Sequence, residues 1–67
     1  MLPSKLSVGA VYRVIFESGN VEVGFTSILK GFGQEDDWLT LSFENGVTLE
    51  GKGEEVAFRA KFYRRVW

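Results

Sequence analysis

Residues 8–29 read VGAVYRVIFESGNVEVGFTSIL, two apolar alternations split by a polar break. A strand sends every second side chain to the same side, so Tyr12, Val14 and Phe16 share one face of the first run, and Val21, Val23 and Phe25 share one face of the second. The break, Glu17-Ser18-Gly19-Asn20, is made of turn formers. With Ser18 and Gly19 as the loop, Phe16 stands opposite Val21, Val14 opposite Val23 and Tyr12 opposite Phe25, all on one face. A three-residue loop would set Phe16 against Asn20, and a slip of one residue would turn the whole apolar set outward. The stretch predicts a β-hairpin.

The outward side of the first strand is also unusual. Val11 and Ile15 flank Arg13 there, where a one-sided sheet shows polar residues. Either the rest of the chain or a second subunit must cover them, and cover within the chain is the preferred expectation. Gly24 interrupts the second strand (residues 21–29) and marks a bend or a close approach.

Residues 30–37, KGFGQEDD, read as a connector, with Phe32 between Gly31 and Gly33 either tucked under the barrel as a plug, the preferred reading, or displayed as an anchor. Trp38–Phe43 alternates as a third strand, with Leu39, Leu41 and Phe43 on its apolar face. Asn45-Gly46 alone as a turn would face Leu41 with Glu50. A three-residue loop, Glu44-Asn45-Gly46, instead pairs Phe43 with Val47 and Leu41 with Leu49. This is a type I turn with a G1 bulge, Gly46 being left-handed. Residues 47–50 form a fourth strand, broken by Gly51-Lys52-Gly53.

Residues 56–67 carry two signals. Val56, Phe58, Ala60 and Phe62 alternate as a strand does, whereas Phe58, Phe62 and Val66 recur every four residues as on a helix. Glu54 and Glu55 before them and Arg64 and Arg65 near the end would suit a helix dipole. A strand is preferred, because a fifth strand closes the sheet. Arg59, Lys61, Tyr63 and Arg65 then share its outward face.

The expected fold is all-β: a small five-stranded antiparallel meander curled into an SH3-like or Sm-like barrel, one domain over residues 1–67 with residues 1–7 as an extended N-terminal arm. The hairpin of residues 12–29 resembles the opening of the Sm-like fold, whose bent strand also carries a glycine, here Gly24. The resemblance covers at most the first half of the chain. The Sm family's later RNA-contacting signature is not visible, so no function is taken from it.

A chain of 67 residues forms one domain; at this size about 60% of the unfolded surface is buried and a single core supplies roughly 3–5 kcal/mol. Without cysteine or histidine there are no disulfides and no thiolate metal sites, and the commonest general base and the best nucleophile are missing. Stability must come from packing, and 45% hydrophobic residues with six Phe, two Tyr and two Trp supply it. Met1 at the start suggests a whole gene product. No apolar run approaches the ~20 residues of a membrane span, and the N-terminus lacks a signal peptide's apolar stretch, so a cytoplasmic location is expected.

The net charge of −1 argues against general coating of DNA. Its distribution is uneven: residues 56–67 hold four bases and no acid, while the first 55 hold the other four bases and all nine acids. The expected function is a non-enzymatic protein-interaction or self-association module. Its binding residues are Arg59, Lys61, Tyr63, Arg65 and Trp67, with Trp38, since Trp and Tyr anchor interfaces and the bases steer an acidic partner.

The alternative is nucleic-acid binding, DNA or RNA, by the same basic-aromatic strand, with rings stacking on bases and cations meeting phosphates. Solubility alone explains four bases near a terminus equally well. The acidic loop of Glu35, Asp36 and Asp37 is a solvated loop first and a phosphate mimic second. Its spacing matches no EF-hand, so no metal and no cofactor are expected.

Overall fold

A computed structural model describes residues 3–65 of the chain. It is mostly β, a single five-stranded antiparallel sheet with one short helix. In chain order the elements are β1 (Val11–Ser18), β2 (Val21–Glu35), β3 (Trp38–Phe43), β4 (Thr48–Lys52), α1 (Gly53–Arg59) and β5 (Ala60–Arg64). The strand order is β4-β3-β2-β1-β5. No ladder joins the outer strands β4 and β5 among the described residues, so the sheet is not closed.

The first hairpin forms, with its register moved by two residues. The loop is Gly19-Asn20, and Phe16 pairs with Val23, Val14 with Phe25 and Tyr12 with Ser27. Turn chemistry accounts for the shift. Gly19 stands at the first loop position with φ 60°, a place where a type II′ turn wants glycine and where the expected loop would have put Ser18. A shift of two preserves the faces, so Tyr12 and Val14 are buried as the alternation requires. Phe25 now sits over the core, its ring edge-on to Phe43 at 5.1 Å. Val21 and Val23 are carried beyond the core and are 61% and 50% exposed.

The expected connector at residues 30–37 is largely strand. β2 runs for 15 residues through Gly31 and Gly33 to Glu35. Between Leu29, paired with Phe43, and Gly31, paired with Ser42, Lys30 is an extra residue. Such a bulge bends a strand, and here it divides β2 into a half that pairs with β1 and a half that pairs with β3. The irregularity in β2 is thus at Lys30, and of the two readings of Gly24, a bend or a close approach, the second applies. Only Asp36-Asp37 remain as loop, with Asp36 left-handed at φ 54°. Phe32 pairs with Leu41 and is 36% exposed, a rim residue rather than an enclosed plug.

The second hairpin has the expected register. Leu41 pairs with Leu49, the Phe43 N–H donates to the Val47 carbonyl at 2.9 Å, and Gly46 has φ 93°. The Asn45 side chain secures the turn by accepting the Val47 N–H at 3.1 Å.

The two signals in residues 56–67 belong to consecutive elements, so the single strand expected there is corrected. Residues 53–59 are helix, with Glu54 and Glu55 in the first turn, Arg59 in the last and Val56 buried. The Gly53 N–H donates to the Asp37 carbonyl at 2.8 Å and ties the helix start to the β2–β3 turn. The strand begins only at Ala60, where Ala60 and Phe62 alternate with exposed Lys61 and Tyr63.

The core gathers Tyr12, Val14, Leu29, Leu41, Phe43 and Phe62, closed by Leu49, Val56 and Ala60. The N-terminal segment is not extended: Pro3–Lys5 is a 3-10 turn lying against α1, with Pro3 buried. The Ser7 N–H donates to the buried Tyr12 hydroxyl at 2.8 Å.

Candidate interaction surface

The outer face of the β2-β1-β5 half of the sheet carries the most chemistry. Odd-numbered residues of β1 point outward, opposite to buried Tyr12 and Val14. Arg13 lies between Tyr63 of β5 and Thr26 of β2, and Ile15 between Lys61 and Gly24. The Arg13 guanidinium lies over β2: Nη1 donates to Thr26 Oγ1 at 3.5 Å, and Nη2 would stand 2.7 Å from a Cβ on Gly24. The close approach read from Gly24 is thus real, and its occupant is Arg13. Val11 and Ile15 are half-buried, so the rest of the chain covers them in part.

Of the expected site residues, Lys61 and Tyr63 share this face and Tyr63 is 52% exposed. Arg65 follows β5, exposed, its N–H donated to the Val11 carbonyl at 2.9 Å. Arg59 does not join them on the strand; it ends α1. Trp38 is exposed on the other half of the sheet, between Glu35 and Lys52, and so does not belong to the basic strip. Trp67 lies outside the described residues. Arg13 is the residue that sequence reasoning missed. Its place on the outward face was legible, but its neighbours on β5 follow only from the pairing of the first and last strands.

Glu35 ends β2 and Asp36-Asp37 form the loop, all exposed. Near them an open cleft of about 700 Å³ is floored by Leu39 and edged by Asp36, Asp37, Lys52 and Glu54. No three carboxylates are grouped to hold a metal ion among the described residues.

The second feature is apolar. Val21 and Val23 lie on the core side of the β1–β2 hairpin, past the point where the core covers it. Over residues 21–26, β2 pairs with β1 alone, and its other edge has no partner strand among the described residues. Glu22 stands opposite Glu17 across this hairpin, a like-charge cross-strand pair of the kind that destabilises a sheet.

No family model, curated protein or solved structure matches the chain. No helix among the described residues is long and apolar enough to cross a membrane.

Proposed function

We propose that this protein is a small non-enzymatic module that works by associating, with itself or with a protein partner, through the β1–β2 hairpin. The observation that carries the reading is the exposure of Val21 and Val23, at 61% and 50%, on the stretch of β2 that pairs with β1 on one side and has no partner strand on its other edge among the described residues. An unpaired edge with β-branched residues is a template for another strand. The test is mass in solution by light scattering across protein concentration, at low and high salt, with and without short single-stranded DNA and RNA. A defined oligomer of the protein alone supports association.

A second reading is favoured by one observation: Arg13, Lys61 and Tyr63 occupy one outer face. That face has the form of a nucleic-acid platform, and Arg65, just past β5, stands beside Val11, to whose carbonyl its N–H donates. A monomer that takes up an oligonucleotide at low salt and loses it when Lys61→Glu is introduced supports this reading. A monomer that ignores oligonucleotides sinks it, and with it the self-associating form of the first.

The barrel belongs to the same proposal. A long β2 shared by both halves of the sheet, and a helix lying against both β4 and β5, support an SH3-like or Sm-like curl.

A further inference from the structure

We infer that the partner at this edge is a second copy of the same chain, joined through β2 in an antiparallel, two-fold ladder whose axis passes beside Val23. The inference rests on the association reading above and names its occupant and register.

The backbone sets the phase. The Leu29 N–H donates to the Ala10 carbonyl at 3.0 Å, and the two-residue loop closes on the pair Ser18 and Val21. Odd-numbered residues of β2 therefore bond to β1. Glu22, Gly24 and Thr26 turn their N–H and C=O groups to the open edge. The free stretch ends near Ser27, whose hydroxyl accepts the Asn45 N–H at 3.1 Å and so belongs to the β3–β4 turn.

The side chains select the register. With the axis at Val23, the two copies of Val23 face each other in a pair without ladder hydrogen bonds, the closer of the two pair types. Val21 of each copy then meets Phe25 of the other. Every apolar side chain of the edge finds an apolar neighbour, on the side continuous with the core.

On the opposite face, Glu22 of one copy stands across from Gly24 of the other. Gly24 is where the Arg13 guanidinium lies. The ladder thus brings each Glu22 carboxylate to the second copy's Arg13, twice over, and relieves the Glu17–Glu22 pairing within each hairpin. Moving the axis to Gly24 would set Val23 against Phe25 but Val21 against Ser27, so Val21 would lose its apolar neighbour, while Glu22 would face Thr26, which the Arg13 guanidinium also reaches at 3.5 Å; the apolar pairing is what selects the axis at Val23. An interface that repeats the same patch on both copies is what a two-fold dimer requires.

The test uses the full chain and a charge swap at the axis. Val23→Lys alone and Val23→Glu alone each place like charges together and weaken the dimer more than tenfold, on the order of what such juxtaposition costs. Mixing the two variants restores a mixed dimer. Val23 lies outside the buried core, so both variants fold, and circular dichroism verifies it. Glu22→Arg likewise dissociates the dimer, and adding Arg13→Glu in the same chain restores it.

If the wild-type chain is a monomer, this inference fails together with the self-associating form of the reading, and only association with a different protein is left. If it is a dimer that Val23→Lys leaves intact, or if mixing the two variants restores nothing, this interface is overturned while association stands.

Discussion

The guanidinium of Arg13 occupies the place where a side chain at Gly24 would begin. A Cβ there would stand 2.7 Å from Nη2 and 3.3 Å from Cζ of Arg13. Gly24, in the half of β2 that pairs with β1, is thus a seat for a cation from the neighbouring strand, while the register of β2 shifts at Lys30. The atoms in the way belong to the far end of a flexible side chain, which decides how the site responds to change.

Gly24→Ala should therefore be tolerated. Arg13 swings off β2 and gives up a long, exposed hydrogen bond to Thr26. Urea unfolding should show a loss of no more than about 0.5 kcal/mol, the range of ordinary surface changes. A loss above roughly 2 kcal/mol would mean that backbone, not the Arg13 side chain, is in the way.

Phe58 and Phe62, four residues apart, should behave oppositely. Phe62 is 1% exposed in the core and Phe58 is 85% exposed on α1. Phe62→Ala should cost about 3–5 kcal/mol, which matches the whole stability expected of a domain this small, and leave the chain unfolded by circular dichroism. Phe58→Ala should move stability by less than about 0.5 kcal/mol.

Tyr12→Phe isolates one hydrogen bond. The ring stays in the core, but the Ser7 N–H loses its acceptor at 2.8 Å. Leaving a part-buried donor unsatisfied costs about 1–3 kcal/mol. Chemical denaturation should show that loss, with faster amide exchange at Ser7; unchanged exchange there would contradict it.

Two glycines separate backbone strain from space. Gly46 has φ 93° and nothing within 4 Å of the place a methyl group would take, so Gly46→Ala should cost about 1–2 kcal/mol through its dihedral alone. Gly33 lies in ordinary strand, with the nearest atom, Thr40 Cβ, 3.9 Å from a new methyl. Gly33→Ala should stabilise by roughly 0.5–1 kcal/mol. Equal effects at the two positions, read by thermal melting, would refute the distinction.

The fold was legible where a local rule was sufficient. Alternation identified the inward faces of β1 and β3, and the loop Glu44-Asn45-Gly46 followed from matching Leu41 to Leu49, as the ladder has it. The first hairpin was misread by two residues, because such a shift keeps every side chain on its face and alternation is blind to it. Of the candidate site, Lys61 and Tyr63 were placed on their shared face, while Arg59 was lost to the helix and Trp38 to the other half of the sheet.

The sequence by itself determined the inward faces of β1 and β3 and the Glu44-Asn45-Gly46 turn, since these depend on neighbours within a few residues. Tertiary structure decided the rest. Ladder partners on β3 carry β2 through Gly31 and Gly33, where local composition reads as loop. Packing of Val56 into the core makes residues 53–59 helical beside a strand that begins one residue later. Pairing of β1 with β5 sets Arg13 beside Tyr63, fifty positions apart in the chain, because cross-strand neighbours are chosen by burial of a common face and not by distance along the backbone.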